Sequence, residues 1–186
     1  MTQVAQNKIG IVLSFFICFI FSASYANIDS LRAVLSQNPD NAFILNELAS
    51  ALIPDSIYVA RPLAERAYEL AEKGNNLNEQ ARALYAIGDT WWWEQDYATA
   101  IGWFERAALI YLRIDNYLEA ASCYNDMGYS CVEIDRFDDA LRNYKKSLQL
   151  LLKIDDEDNI PAVITNIGRV YQGIANYDSA IFFNRQ

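Results

Sequence analysis

Histidine is absent from all 186 residues. That excludes Ser-His and Cys-His nucleophiles and imidazole-held metals built from this chain alone. Glycine is sparse, with only 7 residues, and nowhere forms a phosphate-cradling loop. Positive charge is also short, 15 Lys and Arg against 24 Asp and Glu. No basic stripe exists to neutralise phosphates, so no nucleic acid is expected as a partner. Acidic surface lowers attraction to anionic membranes as well. Of the 3 cysteines, Cys18 follows Phe15-Phe16-Ile17, which argues against lipid attachment there. Cys123 and Cys131, if on one helix, have Cα atoms about 12 Å apart, beyond the roughly 7 Å reach of a disulfide. They are expected to be two small core residues. No cofactor is expected.

What is abundant is apolar and aromatic. Hydrophobic residues make up 53% of the chain, including 12 Tyr, 9 Phe and 4 Trp. That is ample material for a core in a single domain. Residues 1–26 stand apart. Lys8 leads into the apolar run Ile9–Phe21, followed by Ser22-Ala23-Ser24-Tyr25-Ala26. This is the three-part layout of a secretory signal peptide cut after Ala26. At about 13 residues the run falls short of the roughly 20 that span a bilayer. An uncleaved N-terminal anchor is the alternative. Without residues 1–26 the chain loses one basic residue and no acidic one, leaving a formal net charge of −10.

Downstream, Ile28, Leu31 and Leu35 form a short apolar stripe at helical spacing, predicting a lead-in helix over 27–40. A helix over Asn41–Leu52 follows, then a turn at Ile53-Pro54-Asp55-Ser56 in which Asp55 or Ser56 can cap the next helix. That helix runs from about Ser56 to Lys73 and stops at Gly74-Asn75-Asn76.

From there the register is strict. Ala60, Ala100, Ala140 and Ala180 stand forty residues apart, as do Gly88, Gly128 and Gly168. Each glycine follows Ile87, Met127 or Ile167, and Tyr97, Phe137 and Tyr177 precede the later alanines by three. A fixed period of this size marks a solenoid of stacked helix hairpins. Leu84, Ile87, Gly88 and Trp91 share one helical face, and Tyr97, Ala100, Ile101, Phe104, Ala107 and Ala108 form the facing stripe. Gly88 and Ala100 are small where two backbones must approach. One hairpin cannot bury its outer face alone, so neighbours must stack on it.

Ile87-Gly88, Trp91, Ala100, Phe104 and Ala107, then Met127-Gly128, Cys131, Ala140, Tyr144 and Ser147, then Ile167-Gly168, Tyr171 and Ala180 resemble the tetratricopeptide repeat (TPR) family. The resemblance covers about 41–186, in units of about 41–76, 77–116, 117–156 and 157–186, the last incomplete. It implies an all-α, right-handed α-solenoid of antiparallel helix hairpins. The period of forty exceeds the usual length of about 34, so each helix is expected to be longer by close to a turn. The first unit departs from the pattern, with no glycine and with Ala64 in place of Phe104 and Tyr144. Asn184 breaks the same position in the last unit. The next basic residue after Lys73, Arg113 and Lys153 would fall at 193, beyond Gln186. The expectation is therefore that the sequence is the front of a longer protein, since a solenoid needs a polar capping repeat.

No catalytic or metal site is apparent. Asp155-Asp156-Glu157-Asp158 matches a calcium loop only in charge and lacks its alternating ligands and glycine; a solvated turn with capping carboxylates is expected, and equally at Asp135, Asp138 and Asp139. What remains is a surface. Tyr85, Asp89 and Trp92 lie about a quarter turn from the inward face, with Trp93 beside them. The matching rows are Asn125, Tyr129, Val132 and Thr165, Arg169, Gln172. The resemblance implies that this side of the first helices is the wall of a groove for an extended peptide or partner helix. For Trp92 and Tyr129, groove lining and inter-repeat core remain equally open; Trp91 and Phe104 are core. Asp89 and Asp126 would repel the C-terminal carboxylate that some chaperone-associated TPR domains grip. The candidate groove is thus Tyr85, Asp89, Trp92, Trp93, Asn125, Tyr129, Arg169 and Gln172.

The expected function is a non-enzymatic protein–protein interaction module with a protein or peptide ligand. Exported arrays of this repeat length resemble the sensor regions of bacterial membrane-anchored signalling proteins. A free-standing periplasmic scaffold and the docking arm of an enzyme whose catalytic domain lies downstream are the alternatives. Membrane contact is expected only through an uncleaved N-terminus or a segment beyond Gln186.

Overall fold

Five turns of one backbone conformation divide the chain at equal intervals. Asn75, Gln95, Asp115, Asp135 and Asp155 all have positive φ, between 52° and 62°, the left-handed region that lets a helix end and the chain reverse. Around each, two backbone bonds close the preceding helix. Asn75 N–H donates to Glu72 O at 3.1 Å and Asn76 N–H to Ala71 O at 2.9 Å. The same pair recurs at Gln95–Asp96, Asp115–Asn116, Asp135–Arg136 and Asp155–Asp156. This is the Schellman arrangement, which satisfies carbonyls that a helix end would leave orphaned. The residue after the left-handed one then starts the next helix. Asn76, Asp96 and Asn116 accept from the backbone N–H groups of Glu79, Thr99 and Glu119 at 3.2, 3.1 and 3.4 Å.

The computed structural model describes residues 28–184, and side chains as far as Ala175. The signal peptide assigned to 1–26 lies outside the described residues. Helix α1 runs over 28–37. It is followed by α2 (Ala42–Leu52), α3 (Ile57–Lys73), α4 (Leu77–Trp93), α5 (Tyr97–Arg113), α6 (Tyr117–Glu133), α7 (Phe137–Lys153) and α8 (Ile160–Asn184). Helices α3 to α7 are each 17 residues long, about 25 Å. No strand occurs among the described residues. Sequential helices pack on one another throughout, so that α3 on α4, α5 on α6 and α7 on α8 join successive units, with smaller contacts of α2 on α4 and α6 on α8. The molecule is an all-α solenoid.

The expected inward faces are the buried ones. Leu84, Ile87, Ala100, Phe104, Ala107 and Ala108 are all 2% exposed or less. Both remaining cysteines lie buried as free thiols on α6, as their spacing required. The glycines need a sharper account than backbone approach. A Cβ on Gly88 would sit 2.8 Å from the ring of Phe104, and one on Gly128 2.6 Å from the ring of Tyr144. Gly88 and Gly128 are small because an aromatic ring from the next helix packs against each.

Two local expectations change and a third holds. Ser56 starts α3 but its hydroxyl makes no capping bond. Asp156 caps its turn as expected: its carboxylate accepts from Asn159 Nδ2 at 2.9 Å and from Asn159 N–H at 3.0 Å, which hold its pKa below the ordinary carboxylate value. The last unit holds no hairpin among the described residues, because α8 continues through the position of the sixth turn. Where the earlier turns carry Asn, Gln or Asp, that position is Ala175. Alanine has a Cβ that opposes positive φ, no amide or carboxylate to stabilise it, and the highest helix propensity. Gly168 accordingly faces no ring among the described residues, none of whose heavy atoms lies within 4 Å of its added Cβ.

Candidate functional site

Helices α4 and α6 are equivalent first helices of adjacent units, and the residues between them converge because their registers coincide. Tyr85 on α4 donates its hydroxyl to Asp126 Oδ2 on α6 at 2.6 Å. One turn further along, Trp92 meets Tyr129, ring centroids 5.6 Å apart at 54°. Phe104 reaches up from α5 against Tyr85 at 5.3 Å. Together with Asp89 these side chains enclose an open pocket of about 180 Å³.

Four aromatic walls and two carboxylates form an unusual lining. Asp126 accepts from Tyr85 and, at 3.2 Å on Oδ1, from Asn125 Nδ2. Burial raises its pKa, against the pull of those two hydrogen bonds. Asp89 makes no hydrogen bond and no ion pair among the described residues. Burial first, and the charge of Asp126 second, push its pKa up to about 6. Burial likewise raises the Tyr85 phenol far above its ordinary value, with Asp126 adding to it. The site is short of positive charge.

The eight sequence-predicted residues are not brought to one point. Tyr85, Asp89, Trp92 and Tyr129 share the pocket. Trp92 is half-buried, and Tyr129 is 38% exposed. Trp93 lies outside the lining, 48% exposed, edge-on to Trp92 at 5.7 Å. Asn125 faces a neighbouring pocket of about 210 Å³ that shares Tyr85 and Asp126; it accepts from Asn166 Nδ2 on α8 at 3.0 Å. Arg169 lines a third pocket, about 230 Å³, that shares Tyr129. Gln172 is exposed on α8. The pockets therefore follow one another along α4, α6 and α8 with tyrosines as the shared walls. Phe104 and Asp126 were not among the predicted residues. Asp126 was already legible from the sequence as a charge that would repel a carboxylate there, one helical turn before Tyr129.

A fold built of stacked hairpins with a side-chain strip along its first helices defines a class, the helical-repeat solenoids. Within it, residues 79–153 match the family model described as tetratricopeptide repeat, and the resemblance read from the repeat pattern is shown. Solved structures agree on the fold. The apo form of RapI superposes with a TM-score of 0.72 at 15% identity, over 90% of this chain and 48% of that one. Aspartyl phosphate phosphatase F from Bacillus subtilis gives 0.68 at 14%, over 76% and 38%. A Rap protein complexed with Competence and Sporulation Factor gives 0.70 at 13%, over 88% and 48%. The chain thus spans half or less of the length of these structures. No curated protein sequence matches it.

Proposed function

We propose that the strip along α4, α6 and α8 binds an extended peptide or partner helix, and that the chain acts as a non-enzymatic protein–protein interaction module. The observation that carries this is the open aromatic pocket between α4 and α6, with Trp92 and Tyr129 presented at its mouth. Aromatic residues of this kind supply much of the binding energy at protein interfaces. A Rap protein of the same fold has been crystallised with Competence and Sporulation Factor, which supports a solenoid of this shape as a receptor for another molecule. The same proposal places the protein outside the cytoplasm, on the strength of the signal-peptide layout of residues 1–26. There it would serve as the sensor or docking region of a bacterial signalling protein.

Trp92→Ala combined with Tyr129→Ala is expected to weaken capture of the partner at least tenfold, read by titration. Helicity by circular dichroism should be retained. A collapse of helicity in the double variant would make the pair core rather than receptor. Export is read by fractionation: protein still beginning at Met1 in the cytoplasm would overturn it.

A further inference from the structure

Six of the described aromatic rings already carry this chain's own cations, Tyr68 among them with Arg106 at 5.8 Å. Arg61 lies over Trp91 at 3.8 Å, Arg106 over Trp103 at 4.5 Å and Lys153 over Tyr117 at 3.5 Å. Lys146 sits over Tyr124 at 5.0 Å and Arg82 over Phe43 at 5.1 Å. The Trp92–Tyr129 pair has no such guest among the described residues, yet it flanks two carboxylates drawn into one pocket with it, Asp89 and Asp126. Two acids sharing one pocket are repulsive, and burial makes both charges costly. Asp126 is compensated by Tyr85 and Asn125; Asp89 is not. A cation seated between them would gain both Coulombic attraction and the ring faces.

We infer that the pocket of Tyr85, Asp89, Trp92, Phe104, Asp126 and Tyr129 takes the cationic head of an arginine or lysine side chain from a basic partner peptide. This rests on the strip being a receptor, and it names what the receptor selects. The formal charge of −9 for the whole chain favours the approach of such a partner. The carboxylates also exclude the opposite guest, a peptide anchored by an acidic side chain.

The inference carries a pH dependence. Asp89 is faced by Tyr85 and Trp92 from its own helix, by Asp126 and Tyr129 from α6 and by uncharged Phe104 from α5. Arg61 of α3 is engaged elsewhere, with Thr90 at 2.8 Å and Glu94 at 2.6 Å, and Arg169 acts on Tyr129. With the Asp89 carboxyl pushed up to about 6, a cation binds well at pH 7.5, where Asp89 is charged, and poorly at pH 5, where it is protonated.

The test uses the full chain and two small probes, Nα-acetyl-arginine methylamide and its neutral citrulline isostere, followed by the indole resonances of Trp92. The arginine probe is expected to shift them saturably at pH 7.5, several-fold and at most about tenfold more tightly than at pH 5. Asp89→Asn should abolish that difference, and citrulline should give no saturable shift. Equal binding of the two probes, no saturable shift with arginine, or an unchanged arginine affinity in Asp89→Asn would each overturn the inference. Failure of the receptor reading is separable. If Trp92→Ala with Tyr129→Ala abolishes partner capture while Asp89→Asn leaves it intact, the receptor stands and the cation does not.

Discussion

At the scale of single residues, the three registered glycines look alike in sequence and differ in what they face. Gly88 and Gly128 lie under buried rings, whereas Gly168 lies under none of the described side chains. Gly88→Ala must therefore push the ring of Phe104, itself only 1% exposed, out of a packed position. Overpacking of that kind costs about 1–3 kcal/mol. Gly168→Ala meets no obstacle and replaces glycine inside a helix, which should gain about 0.5–1 kcal/mol. Urea unfolding of the two variants checks both signs; equal effects would contradict the ring-seat explanation. The glycine register was visible in the sequence, because small residues recur only where geometry forces them. Which glycine carried a ring was visible too, since Phe104 and Tyr144 recur sixteen residues on and Asn184 does not.

At the scale of helices and turns, the sequence shows a period of forty and the backbone a period of twenty. The finer period escaped notice because it is written in φ, not in residue type. Asn75, Gln95, Asp115, Asp135 and Asp155 share a left-handed conformation but not a side chain. Asparagine and aspartate tolerate that region better than other residues with a Cβ, which leaves Gln95 as the poorest fit of the five. Gln95→Gly is expected to raise stability by up to about 1 kcal/mol, partly offset by the freedom glycine adds to the unfolded chain. Thermal melting checks it, and a lower Tm would mean that the Gln95 side chain contributes more than its backbone costs. The same logic explains α8. Ala175 carries neither the amide nor the carboxylate found at the other turns, and the helix continues through it.

At the scale of the whole molecule, acidity is concentrated where it is least compensated. A carboxyl whose folded pKa is raised binds its proton more tightly folded than unfolded. Stability then falls as pH rises from the ordinary value of 3.8 to about 6, and stays lower above that. Asp89→Asn removes this penalty. It should be more stable than the parent by about 1–3 kcal/mol at pH 7.5, and indistinguishable from it near pH 4. Urea unfolding at the two pH values measures this; a variant less stable at pH 7.5 would show that Asp89 has a partner holding it charged. The sequence disclosed four of the six residues of the pocket. Tyr85, Asp89, Trp92 and Tyr129 fall on a predictable helix face, whereas Phe104 was assigned wholly to the core. It serves both, since one edge seats against Gly88 and the other closes the pocket beside Tyr85. Periodicity assigns a residue one face and cannot show a ring wide enough to have two.

The mismatch between a twenty-residue backbone step and a forty-residue chemical step makes this chain sensitive to frame. Removing one whole unit keeps every helix in its role and only shortens the strip. Removing a single helix with its turn leaves each remaining turn geometrically sound, yet exchanges lining for backing in everything downstream. Such a product would have well-formed helices and an interior facing the solvent. Length changes in this protein are therefore safe in pairs of helices and ruinous in odd numbers.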